Sequence, residues 1–152
     1  KVVTSKEPGE GFTEMRENLR SQRGVKTWVV GEDPFATVPL IQKLQEGEAV
    51  AALLDRPMAG DGVNIPFMGS NIQASRGVAE LVRASGCVIL PVAILREKEG
   101  YCAHILPEVE YDRKALRSHD GRIALTAEMM KRFEPLVQSH PEQWFHFIPV
   151  IP

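Results

Sequence analysis

Apolar residues in this chain recur every three or four positions in some stretches and fill unbroken runs in others. Over residues 11–23, Phe12, Met15 and Leu19 stand at helical spacing among charged neighbours, and Gly24 is placed to end that helix. Lys26-Thr-Trp-Val-Val30 reads as a short strand, and Glu32-Asp-Pro34 opens a second helix whose Val38, Ile41 and Leu44 share a face before Gly47 closes it. Ala49-Val-Ala-Ala-Leu-Leu54 has no polar alternation, the pattern of a strand covered on both faces of a parallel sheet. Strand, helix and strand together predict a βαβ unit.

Residues 55–69 are rich in Gly and Pro, so a loop is expected beyond the carboxyl end of that strand, where open α/β sheets bind ligands. Helical spacing returns over 75–85 through Val78, Leu81 and Val82, with Gly86 as its stop. The run 87–95 reads as another interior strand in spite of Pro91, which removes one ladder donor. After a turn at residues 97–100, residues 101–111 alternate as a further strand, and 125–137 carry Met129, Arg132, Phe133 and Leu136 on one helical stripe. The expected fold class is α/β, with a mainly parallel or mixed central sheet flanked by helices on both faces.

The 152 residues fit a single domain, and a charged fraction of 25% beside 43% apolar residues excludes a disordered chain. A net charge of −2 supplies no basic field, so no nucleic-acid partner is expected. The longest apolar run, 87–95, is far short of the roughly 20 residues that span a bilayer. Cys87 and Cys102 lie in strand-like runs without CxxC or zinc-type Cys/His spacing, which predicts reduced core thiols in a cytosolic setting and no metal centre. Because the first residue is Lys1, the expectation is that the natural N-terminus lies further upstream.

None of the four histidines, His104, His119, His140 and His146, sits in a hydrolase elbow, Walker loop, dinucleotide fingerprint or HExxH pattern, and each by itself reads as structural or solvated. Asp55 is more informative. It follows the apolar run directly, where a carboxylate emerges partly desolvated and able to orient a partner, although the adjacent Arg56 offers a plain local pairing. Arg16, Arg20 and Arg23 fall along one side of the first helix as a clamp for phosphate or carboxylate, or as a solvated face balanced by Glu14 and Glu17.

Taken in order, several segments form a pattern: Arg20-Ser-Gln-Arg23-Gly24, Asp55 after its apolar strand, Val63-Asn-Ile-Pro66-Phe67-Met68-Gly69, a small-residue helix through Gly77 and Ala79, the strand with Pro91, and Pro141-Glu-Gln-Trp144. Over about residues 16–144 this resembles the lipid A biosynthesis (late) acyltransferase family of the lysophospholipid acyltransferase superfamily, and so implies a glycerolipid-acyltransferase-like fold. The resemblance implies transfer of an acyl group from an acyl carrier protein or coenzyme A thioester to a hydroxyl or amine of a lipid A-like acceptor. It places the protein in peripheral contact with the cytoplasmic face of a bacterial inner membrane. No cofactor is implied beyond the thioester co-substrate.

The family's catalytic histidine belongs to a His-x4-Asp/Glu motif. No histidine here has an acid five positions later, so the chain is expected to be the C-terminal part of an acyltransferase domain whose base lies upstream, and to be inactive alone. The resemblance implies that Asp55 and Arg23 stand nearest the reacting centre. It implies substrate-binding roles for Arg20, Arg56, Pro66, Phe67, Met68, Gly69 and Arg76. Ile65 to Met68 would line the acyl chain's path or else pack in the core. Two departures are Met68-Gly69 where the family has an aromatic-Gly pair, and an apolar rather than basic tail after Trp144. The competing readings are a non-catalytic module that binds an acyl chain or partner, and a small-molecule enzyme using Asp55, Arg56 and His104.

Overall fold

The computed structural model describes residues 1–4, 10–30, 35–58 and 60–146. The chain divides into two compact units, Lys1–Leu53 and Leu54–Pro152.

In the first unit, β1 (Val2–Thr4) runs parallel to β2 (Thr27–Val29), in the register Val2 with Thr27 and Thr4 with Val29, and α1 (Glu10–Ser21) connects them. The helix stops two residues short of the expected end. Arg23 and Gly24 turn back with hydrogen bonds to the Arg20 and Ser21 carbonyls, and Gly24 takes the left-handed φ of 70° that the reversal requires. α2 (Val38–Gln45) has Pro39 in its first turn and buries Leu40. Its expected opening at residues 32–34 lies outside the described residues.

The expected strand 49–54 is reduced to one parallel bridge, Ala51 to Val2, made by Val3 N donating to Ala51 O (2.9 Å) and Ala51 N donating to Lys1 O (2.7 Å). It therefore joins β1 rather than β2, and Ala51, Ala52 and Leu53 are exposed. An apolar parallel strand needs a layer on each face. Among the described residues of this unit Leu40 is the one buried hydrophobic side chain, so neither layer is supplied here.

The second unit begins with β3 (Gly62–Phe67) paired antiparallel to β4 (Ser70–Ser75), where the sequence reading expected a loop. Val63, Ile65 and Phe67 alternate with Asn64, Pro66 and Met68, a period of two hidden among turn-forming residues. Met68 and Gly69 have φ of 50° and 77°, so the strands join through a two-residue turn with both central residues left-handed, which suits their twist.

α3 (Gly77–Ser85) follows, then β5 (Val92–Glu97) and β6 (Gly100–Ile105), again antiparallel. The expected strand 87–95 starts late because Pro91 has no N–H to give. Pairing persists before it through Leu106 N to Pro91 O (2.9 Å) and Val109 N to Ile89 O (3.1 Å). Burial alternates along this run: Ile89, Pro91 and Leu95 point inward, while Val88, Leu90, Val92 and Ile94 are exposed, so one face is covered and not two.

The last expected helix is two, α4 (His119–Lys131) and α5 (Glu134–Ser139). α4 starts early because the Ser118 hydroxyl accepts from Gly121 N at 2.9 Å, and the break falls just ahead of Pro135 in the first turn of α5. α4 divides the core. Leu125 and Met129 pack with Ala79, Val82, Ile89, Val109 and Leu116, whereas Met130 packs with Ile65, Phe67, Ile72 and Ala74. The class is mixed α/β, but the sheets among the described residues are three separate pairs, one parallel and two antiparallel, in place of the expected central sheet.

Candidate functional site

Asp55 is fixed from both sides of the chain. Leu54 is half-buried against both core clusters of the second unit, and its carbonyl accepts from Ser75 N at 2.8 Å, which ties the segment to the end of β4. The Asp55 carboxylate then accepts a hydrogen bond from the indole Nε1 of Trp144 at 3.0 Å, across 89 residues of sequence. Trp144 also lies against Phe67, with ring centroids 5.3 Å apart and tilted by 58°, and stacks on His146 at 4.5 Å. Arg56 donates to the Phe145 carbonyl at 2.9 Å.

The remainder of the Pro141-Glu-Gln-Trp144 element extends this clasp. Gln143 accepts from Arg96 N (2.7 Å) and donates to Arg96 O (3.2 Å), occupying the free edge of β5 as a neighbouring strand would. At the other hairpin, the left-handed turn leaves Met68 N pointing outward, where the Glu134 carboxylate accepts from it at 2.8 Å. Segments 55–56, 67–68 and 141–146 are thus brought to one place in the second unit. An indole N–H that leaves water usually takes an acceptor, and a carboxylate held by one is oriented. Such a group can position a partner or receive a polar head group.

The other expected site residues have plainer settings. Phe67 and Ile65 are core, while Pro66 and Met68 are exposed, so the segment 65–68 splits between the two readings offered for it. Gly69 completes the hairpin turn. Arg76 precedes α3, its Nε 3.7 Å from Asp61, and Asp61 caps that helix from a distance by accepting from Ser75 Oγ (2.7 Å) and Gly77 N (3.1 Å). A Cβ on Gly77 would come within 3.3 Å of this carboxylate. Arg20 is half-buried in the last turn of α1, and Arg23, beyond the helix end, is exposed and donates to Leu19 O at 3.3 Å. Arg23 therefore does not continue the helical row of Arg16 and Arg20. A depression of about 410 Å³ in the first unit, edged by Lys1, Glu17, Lys26 and Trp28, includes none of the expected site residues.

Sequence reasoning quoted Gln143 and Trp144 without giving either a partner, read His146 as structural or solvated, and passed over Asp61 and Glu134. A partly buried tryptophan's need for an acceptor was the available signal for Trp144; the rest had none. Both ring nitrogens of His146 are buried and have no hydrogen bond among the described residues. His104 pairs with Glu97 (3.0 Å), His119 opens α4, and His140 meets Ser139 Oγ at 2.9 Å. Burial, with a smaller contribution from nearby Cys87, raises the Tyr111 hydroxyl above its ordinary value, and that hydroxyl donates to the Cys87 carbonyl at 2.8 Å. No helix among the described residues is long and apolar enough to cross a membrane.

Residues 12–150 match the model of the bacterial lipid A biosynthesis acyltransferase family. The chain belongs to that family. The candidate residues Asp55, Arg56, Phe67, Met68 and Trp144 all fall inside the matched stretch. The chain is similar to the phosphatidylinositol mannoside acyltransferases of Mycobacterium tuberculosis strains CDC 1551 and H37Rv, at 27% identity over 115 residues in each case. That similarity covers 75% of this chain and 34% of each relative, so the chain spans about a third of the length of the curated relatives it matches.

Proposed function

We propose that this chain is the C-terminal part of an acyltransferase domain that moves a fatty acyl group from an acyl carrier protein or coenzyme A thioester to a hydroxyl or amine of a lipid acceptor. The observation that carries the reading is the Asp55–Trp144 hydrogen bond. Together with the ring contact between Trp144 and Phe67, it joins the aspartate, the Pro-Phe-Met-Gly turn and the Pro-Glu-Gln-Trp element, three pieces whose order in sequence underlies the family likeness. The acceptor is an amphiphile with a sugar head group, lipid A-like or, following the names of the relatives, phosphatidylinositol mannoside-like. The protein works in peripheral contact with the cytoplasmic face of a bacterial inner membrane.

In this scheme a histidine of an upstream His-x4-Asp/Glu motif removes the acceptor's proton. The acceptor's oxygen or nitrogen attacks the thioester carbonyl, the carbon–sulfur bond breaks, and the proton passes to the departing thiolate. Asp55, oriented by Trp144, positions the acceptor, and Arg23 holds an anionic group. Arg20, Arg56 and Arg76 add charge for head groups or for the donor's phosphates, while exposed Pro66 and Met68 beside Gly69 offer an apolar rim and Phe67 supports it from the core. The thioester is the only co-substrate required. The exposed face of Val88, Leu90, Val92 and Ile94 has the composition of an interior surface. In the longer protein it packs against the upstream part of the domain.

The test compares this chain with a form extended upstream through the His-x4-Asp/Glu motif, measuring thiol release from an acyl thioester. The extended form is expected to turn over and the chain alone to be inactive. Asp55→Asn in the extended form is expected to lower kcat/KM by at least about tenfold while leaving the unfolding midpoint nearly unchanged, since misplacing a positioned group costs about that much or more. Turnover by the chain alone refutes the missing base. Unchanged kinetics remove Asp55 from the site, and acyl binding without turnover by the extended form favours a binding module.

A further inference from the structure

The β5–β6 hairpin gathers a second group of chemically active side chains, Glu97, Cys102 and His104, to which the scheme above gives no role. Its register sets Ala93 opposite His104, Leu95 opposite Cys102 and Glu97 opposite Gly100. Directly opposed residues share a face of the sheet, as do alternate residues on one strand. Glu97, Cys102 and His104 therefore project from one face near the turn. Glu97 Oε1 lies 3.0 Å from His104 Nε2, and a carboxylate oxygen, the thiol sulfur and an imidazole nitrogen all lie within 4.8 Å of one another. Among the described residues this is the one group of three such donors.

We propose that Glu97, Cys102 and His104 bind a zinc-class divalent ion. One sulfur, one nitrogen and one oxygen form a donor set that suits zinc, whereas calcium and magnesium take oxygen ligands alone. Zinc bond lengths of about 2.0–2.3 Å at tetrahedral angles separate the ligand atoms by roughly 3.3–3.6 Å, a spacing within reach of small side-chain rotations here. The ladder running from Val92–Ile105 to Glu97–Gly100 holds the three backbones in place. Glu97 and Cys102 are exposed and His104 is half-buried, so solvent can deliver the ion and fill the fourth position with water.

An ordinary cross-strand Glu–His pair accounts for the 3.0 Å contact but not for an exposed free cysteine beside it. Unpaired cysteines are among the most buried of residues, and Cys102 is the more exposed of the two here. The linear sequence concealed the group because its third ligand comes from the neighbouring strand. Binding would discharge the Cys102 thiol proton to solvent and tie β5 to β6.

The test is titration of the reduced 152-residue chain with Co²⁺, read by the thiolate-to-cobalt charge-transfer band, followed by displacement with Zn²⁺. One equivalent is expected to bind and to be displaced. Cys102→Ser should abolish the band, and His104→Ala should weaken binding by at least about tenfold, since even outer-shell losses cost about 10–100-fold at such sites. Cys87→Ser should change neither, and far-UV circular dichroism checks that each variant is folded. On the unmutated chain, Zn²⁺ should slow alkylation of Cys102 and leave that of Cys87 unaffected. Absence of the band, its survival in Cys102→Ser, or equal protection of both thiols overturns the site.

Discussion

In the first unit Leu40 is the one described hydrophobic side chain that is buried, while Phe12, Met15, Leu19, Val29 and Leu53 remain between 44% and 62% exposed. In the second, α4 serves two clusters at once and buries Phe67, Ile65, Ile72, Val82, Val109 and Leu116 almost completely. The contrast follows from topology. Antiparallel hairpins such as β3–β4 close through two residues and need cover on one face only, whereas parallel strands such as β1 and β2 need a crossover and a layer on each side. The hairpins of the second unit can therefore be well packed while the parallel pair of the first stays open.

The strongest challenge to that contrast comes from paired core truncations. Phe67→Ala, which removes a ring packed on Trp144 and in the second cluster, is expected to cost about 3–5 kcal/mol in denaturant unfolding. Leu40→Ala is expected to cost about 2–4 kcal/mol but to act on a separate transition at lower denaturant, because its unit has little else buried. If both variants shift one shared transition equally, the two units do not differ in the way described.

A smaller effect is expected from Trp144→Phe, which keeps an aromatic ring against Phe67 and deletes the donor to Asp55. Its cost should be about 1–2 kcal/mol by thermal or chemical unfolding, the usual scale for leaving a partly buried charged acceptor unpaired. A neutral result would mean that the indole N–H contributes nothing to closing the clasp.

The smallest effects concern pH, and they differ between the units. Tyr111 has its pKa raised above 10.0, with burial the main cause. Its contribution is fully present below the unfolded value and is lost as pH rises through the folded one. Tyr111→Phe should cost about 1 kcal/mol at neutral pH and flatten the alkaline limb of the stability curve. In the first unit, the hydrogen bond from Lys1 is the leading cause that lowers the pKa of Glu48. That contribution is present above the ordinary carboxylate value and lost as pH falls through the lowered one, so Glu48→Gln should flatten the acid limb instead.

Local pattern was legible where the period was unbroken. α1, α2 and α3 fall where Leu19, Leu44 and Val82 repeat at helical spacing, β2 falls in its expected run, and β6 (Gly100–Ile105) takes up only the first half of the strand expected over 101–111. It misled where one residue type carried two meanings. Pro66 and Gly69 read as a loop, yet Pro66 sits in β3 and Gly69 in its turn; Pro91 delayed a strand without abolishing its pairing. The family pattern picked out Asp55 and Trp144, but nothing in their spacing indicated that they touch.

By itself, then, the sequence determined where α1, α2 and α3 lie, the family, and which polar residues stand beside apolar runs, because a helical period acts over a few residues. The tertiary structure decided which strands pair, which face of 88–95 is covered, and that Trp144 holds Asp55 across 89 positions. Those outcomes depend on bringing distant segments together and satisfying an indole donor in a partly desolvated place, and no local period encodes that closure.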